Sequence, residues 1–218
     1  MANGGRFLGW ACLLLLVIAG AVAVSGATDY HEEFTDERAW FAQYWNAEGY
    51  IEILQDEAYR TRSVRCPESA EADLYEVDVA IAEDTGDRAD GRITGLAGIE
   101  FRSNPSDEER WSYAILFDQD GRYLFFTLSP TGDTWTRLRG GETDSIRTGL
   151  GRINHVAVEL GERNTYVSFN GGERIGVNAM VPRGGAVCCT VFNYDGATAA
   201  RFDNLFFFSL SSSSPMGD

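Results

Sequence analysis

The chain contains no lysine, so all 18 of its basic side chains are arginine. Set against 33 acidic residues, they leave a formal charge of −15. That balance excludes nucleic acid as a partner, because phosphate binding needs a basic face. The missing lysine is read as compositional drift rather than adaptation to high salt, since the acidic excess is moderate. Histidine is nearly absent, with only His31 and His155. No CxxC occurs among the four cysteines, which speaks against metal binding. Neither a phosphate loop nor a dinucleotide fingerprint is present. His155 has no serine or cysteine in a recognisable nucleophile setting, so triad chemistry is unsupported. Beyond the N-terminus there is no convincing amphipathic helix and no long-period repeat.

What is present is a leader, then alternation. Arg6 precedes an uncharged run over residues 7–28, centred on ACLLLLVIA. One cation before an apolar run that ends in small residues reads as an export signal, with cleavage after Ala27. The run is also long enough to span a bilayer as one helix, with Arg6 on the inner side. Either way the remainder is exported to the extracellular or periplasmic side, secreted or anchored through residues 7–28. Export leaves Cys66, Cys188 and Cys189 in a compartment that permits disulfides. Three is odd, so one internal bridge is expected at most, from Cys66 to Cys188 or to Cys189.

Residues 29–210 read as one β-sandwich and residues 211–218 as a flexible Ser-rich tail. Short runs alternate apolar and polar side chains and end in turn signals: strands are expected at 33–35, 49–55, 74–82, 95–102, 111–117, 122–129 and 135–139. Residues 61–71 and 83–92 are charged and read as loops. Next comes RINHVAVELGERNTYVSFNGG, two alternating runs closed by Gly161-Glu162 and Asn170-Gly171, which marks a β-meander. Strands at 186–194 and 201–210 complete an antiparallel all-β set.

The order of these pieces resembles bacterial concanavalin A-like lectin/glucanase domains. The matching positions are Tyr113, Asp120-Gly121, Tyr123, Asn154, Val158, Tyr166-Val167, Asn170-Gly171 and Phe202-Asp203-Asn204, with GLAGIEFR (95–102) fitting the same pattern. The resemblance covers roughly residues 34–210. It implies a jelly roll of two curved antiparallel sheets, and the uncharged run over residues 7–28 is expected to precede it as one N-terminal apolar helix. It implies no single activity, since lectins, glycan hydrolases and silent modules share the fold.

A glycosidase on this fold needs two carboxylates aimed at one cleft. Glu76 and Asp78 share a strand face. The retaining glucanases resembled here carry a further Glu two or three residues on, where this chain has Ala80 and Ile81. The expectation is therefore a non-catalytic module, with Glu76 and Asp78 as weak catalytic candidates. Carbohydrate binding uses aromatic faces beside planar polar groups, and the candidates are Trp111, Tyr113, Tyr123, Trp135, Arg137 and Tyr194. Trp135 is expected to be exposed. No cofactor is expected, although Asp118, Asp120 and Asp203 are weak candidates for a structural calcium. Partners are a glycan or a protein surface ligand. The alternatives are an accessory subunit of a membrane protein complex, or a divergent glycoside hydrolase.

Overall fold

Alternation along each run puts apolar side chains on one face, and such faces are buried by stacking two sheets. In the computed structural model the residues described are 30–32, 50–66, 72–102, 112–128, 135–181, 183 and 185–208. They contain thirteen strands: β1 (Tyr30–Glu32), β2 (Ile51–Gln55), β3 (Arg60–Arg65), β4 (Leu74–Asp84), β5 (Gly95–Arg102), β6 (Ser112–Phe117) and β7 (Arg122–Leu128), then β8 (Trp135–Glu142), β9 (Asn154–Leu160), β10 (Thr165–Phe169), β11 (Ile175–Val177), β12 (Ala186–Asn193) and β13 (Thr198–Phe208). A seven-stranded sheet runs β1-β13-β4-β9-β10-β11, with β2 also paired to β13. A six-stranded sheet runs β3-β12-β5-β6-β7-β8. Every pairing is antiparallel.

Between the sheets lies one apolar layer. Val77, Val79 and Ile81 of β4, with Val158 and Phe169 of the meander on the same sheet, face Ile99 and Phe101 of β5 and Ile115 and Phe117 of β6, all of them buried. Phe169 packs edge-on to Phe117, with ring centres 5.8 Å apart. The meander forms as read: β9 pairs β10, and Asn170 and Gly171 turn the chain at φ 52 and 70. Positive φ at both positions is what a type I′ turn needs, hence Asn-Gly.

Two expectations change. Residues 60–65 are strand β3 on the edge of the six-stranded sheet, not loop. Five polar residues on that edge hid a strand whose one fully buried side chain is Val64. Strand β4 continues through Glu83 to Asp84 before the chain turns. The leader, the strand expected at 33–35, Trp111 and the tail lie outside the described residues. No helix among the described residues is long and apolar enough to cross a membrane.

The last strand carries the device that shapes the site. Ala200 and Phe202 point into the core, yet so do Leu205 and Phe207, which means the inward parity flips. The register jumps from Asp203 opposite Asp78 to Phe206 opposite Glu76, one extra residue on β13. Asn204 takes up that residue at φ 51. A bulge of this kind re-aims side chains locally. Here Asp203 and Asn204 emerge side by side on the outer face, both half-buried.

Candidate functional site

On the outer face of the seven-stranded sheet, β4 presents Glu76 and Asp78 and β9 presents His155 directly opposite Asp78. The His155 Nδ1 lies 2.9 Å from Asp78 Oδ1. Its Nε2 lies 3.7 Å from Glu76 Oε1, an ion-pair distance too long for a hydrogen bond. The bulged Asn204 donates its Nδ2 to Asp78 Oδ2 at 3.0 Å. The His155 hydrogen bond is the main reason the Asp78 carboxyl sits below its ordinary pKa, with Asn204 and Arg147 helping against burial. Asp78 in turn is the main cause of the raised His155 pKa, with Glu76 adding to it. The imidazole thus stands between the two carboxylates. A glycosidase acid must hold its proton near neutral pH, and Asp78 is shifted the other way.

Beside this cluster is a cleft of about 360 Å³. Ala80, Ala82 and Gly151 form a floor of small residues, while Tyr50, Ile153, Arg201, Asp203 and Asn204 also line it. The Arg201 guanidinium lies 4.9 Å from the centre of the Tyr50 ring and is held by Glu52 at 2.7 Å. An aromatic ring, a guanidinium, a carboxylate and an amide around a flat floor make a surface on which a polar ring can lie.

The outer face of the six-stranded sheet is built differently. Leu96, Ala114, Leu116, Leu124 and Phe126 are buried there, with Ile93, Trp135, Phe192 and Tyr194 packed against them. Its single carboxylate of note is Glu100 on β5, only 2% exposed. Arg102 donates to both its oxygens, at 2.8 and 3.1 Å. Ser63 and Thr190 donate to Oε2 at 2.8 and 2.9 Å. Burial acts to raise the Glu100 carboxyl, but Arg102 and the two hydroxyls together hold it below its ordinary value. The other outward positions of β5 are Leu96, Gly98 and Arg102, so Glu100 has no acidic partner on its strand. A Cβ on Gly98 would lie 2.1 Å from the Ile115 carbonyl oxygen, so that position accepts no side chain without movement of β6.

This architecture is shared with solved carbohydrate-active proteins. It is the concanavalin A-like jelly roll. A Bacillus licheniformis beta-glucanase superposes with a TM-score of 0.59 over 86% of this chain and 100% of its own, at 12% identity. A prokaryotic beta-1,3-1,4-glucanase (lichenase) derived from a mouse hindgut metagenome gives 0.57 over 83% and 98%, also at 12% identity. The carbohydrate binding module CBM66 from Bacillus subtilis gives 0.50 over 72% and 93%, at 14% identity. No protein-family model and no curated protein sequence matches the chain.

The jelly roll scatters the aromatic candidates. Tyr113 and Tyr123 turn toward the sandwich, half-buried Tyr113 packing on Phe125 and buried Tyr123 on Phe169. The two share the inward parity of their strands with Ile115, Phe117 and Phe125. Trp135 is half-buried rather than exposed, edge-on to Phe126 and Phe192. Tyr194 is half-buried against Phe192, with ring centres 4.5 Å apart, and Arg137 is exposed on β8. The calcium candidates part company too. Asp118 caps its hairpin by accepting from the Asp120 and Arg122 amides and binds the Arg122 side chain at 2.6 Å. Asp120 pairs with Arg88 and Arg122 at 2.6 and 2.9 Å, so guanidinium groups already meet both carboxylates. Asp203 is far along the chain, in the cleft. No group of three or more potential metal ligands occurs among the described residues.

The expected disulfide is absent, and Cys66, Cys188 and Cys189 are all free and buried. Cys66 donates its amide to Val187 O at 2.8 Å, and Cys188 and Cys189 stand opposite Arg65 and Val64. Cys189 is therefore diagonal to Cys66 on the core face, a separation of ~7–8 Å in such ladders. A bridge spans up to about 6.8 Å between Cα atoms. Cys188 points to the other face. Burial pushes the Cys188 thiol up to about 12 and the Cys189 thiol well above its ordinary value, which disfavours the reactive thiolate.

Sequence reasoning missed Tyr50, Arg201 and Glu100. Tyr50 and Arg201 come together only because β2 pairs with β13, 149 residues apart at the Glu52–Arg201 contact. Glu100 did carry a local signal: it is the one acidic residue in the otherwise apolar run GLAGIEF.

Proposed function

We propose that the domain is an exported, non-catalytic module that binds carbohydrate in the cleft formed by Tyr50, Arg201, Asp203 and Asn204. The observation that carries this reading is the clamp of Glu76 and Asp78 on His155. The chain's best carboxylate pair is engaged by an imidazole and an amide, and Asp78 is held ionised. The open surface lies next to the pair, lined by groups suited to a sugar: an aromatic ring for its apolar face and planar polar groups for its hydroxyls. Shared fold with beta-glucanases and a carbohydrate binding module supports the ligand class. Residues 7–28 would deliver the domain across the membrane, and the N-terminal sequence of the native protein distinguishes a secreted form from an anchored one.

The test is calorimetric titration of neutral oligosaccharides (laminaritetraose, cellotetraose and mannotetraose), with reducing-sugar release followed in parallel. Saturable binding without product, weakened by Arg201→Ala, is expected. Turnover that disappears in Glu76→Gln or Asp78→Asn would replace this reading by a divergent glycoside hydrolase.

A further inference from the structure

A second cavity, of about 550 Å³, opens among three turns. The turn between β2 and β3 supplies Ala58 and Tyr59, the connection after β4 supplies Asp87 and Arg92 to Thr94, and the turn between β12 and β13 supplies Tyr194 and Asp195. Tyr59 is 75% exposed, the most exposed of the large apolar side chains among the described residues. It also holds φ at 57, a left-handed conformation that costs a bulky residue and favours glycine. Its ring stands edge-on to Tyr194 at 6.2 Å and 86°, forming an aromatic corner. Neither the strain nor the exposure is offset by burial within the chain. Strained residues that persist at a surface cluster at ligand sites.

The walls are preset. Thr94 O accepts from the Tyr194 and Asp195 amides at 2.7 and 3.3 Å, which ties one turn to another. Gly196, at φ 75, approaches Gly86 so closely that a Cβ would lie 2.5 Å from the Gly86 nitrogen. Asp195 Oδ2 accepts the Asp87 amide at 3.4 Å, and Asp87 Oδ1 accepts the Ala89 amide at 2.9 Å. Both carboxylates are exposed, and a carboxylate has room for several donors.

We infer that this aromatic corner is a second binding site for a neutral sugar residue, stacked on Tyr59 and donating its hydroxyls to Asp87 and Asp195. The inference rests on the carbohydrate reading of the domain and makes it bivalent. Acidic glycans do not suit the cavity, since Asp87 and Asp195 outnumber Arg92 among its lining residues. Two sites on one domain raise avidity for a polymer over that for a short oligosaccharide.

The experiment titrates the full chain with laminaritetraose, cellotetraose and mannotetraose while NMR follows the aromatic rings. Shifts at both Tyr50 and Tyr59 are expected. Tyr59→Ala should weaken the second isotherm by about tenfold or more and leave the first intact. Tyr59→Gly should do the same while raising Tm, because it relieves the left-handed strain; a fall in Tm would refute the strain argument. Binding at Tyr50 alone, unchanged in Tyr59→Ala, overturns the second site and spares the first. Absence of any response to the three sugars overturns both. Preferential binding of tetramethylammonium at Tyr59 would reassign the corner to cations, which also bind aromatic faces.

Discussion

The two outer faces of the sandwich start from the same alternation and end in opposite states. On the six-stranded sheet the outward residues are mostly apolar and buried, and their one deep carboxylate is fully partnered. On the seven-stranded sheet they are small or polar, and the cleft stays open. A charge in the first face serves the fold, because an unpaired buried ion is costly. Charges on the second face remain near water, where pairing contributes little stability.

The largest effect should come from thinning the closed face. Phe126→Ala removes a ring that is 8% exposed and touches Trp135, and should cost about 3–5 kcal/mol in urea denaturation. Arg102→Met should follow, at about 3 kcal/mol near neutral pH, by stranding ionised Glu100. That loss should shrink as the solution is acidified and Glu100 takes up a proton. A loss independent of pH would mean that Arg102 matters only for packing.

The open face should respond weakly in stability. His155 has its pKa raised above 6.5, so its contribution is complete below that value and fades as pH rises through the raised one. Asp78 is lowered below 3.8, so its contribution is present above that value and fades as pH falls through the lowered one. The pair therefore stabilises most between those two limits. His155→Ala should lose about 1 kcal/mol or less there, and the difference in Tm from wild type should narrow as pH rises through the raised His155 pKa. The smallest change in stability should be that of Arg201→Ala, within about 0.5 kcal/mol, while glycan affinity falls about tenfold. An Arg201→Ala variant that unfolds readily would erase the distinction between the faces.

Much of this was legible from alternation and turns. The meander from Asn154 to Phe169, the hairpin held by Asp118, and the sharing of one face by Glu76 and Asp78 all follow from local rules of parity and turn chemistry. Strand β3 was not legible, because an edge strand buries little and reads as polar. Tyr113 and Tyr123 could not be placed, since periodicity says that two faces differ but not which one meets the other sheet. His155 was visible only as a lone histidine; its partners lie 77 and 79 positions earlier on β4.

The sequence by itself determined the all-β class, the strand parity, the acidic lysine-free surface and the turns, because each depends on residues close along the chain. Tertiary structure alone decided the pairing of β2 and β4 with β13, and with it the Tyr50–Arg201 stack, the Asp78–His155–Asn204 cluster and the cleft between them. It also kept Cys66 and Cys189 one diagonal step apart. Those outcomes depend on register between distant strands, and a shift of one residue would have turned every one of these side chains to the opposite face.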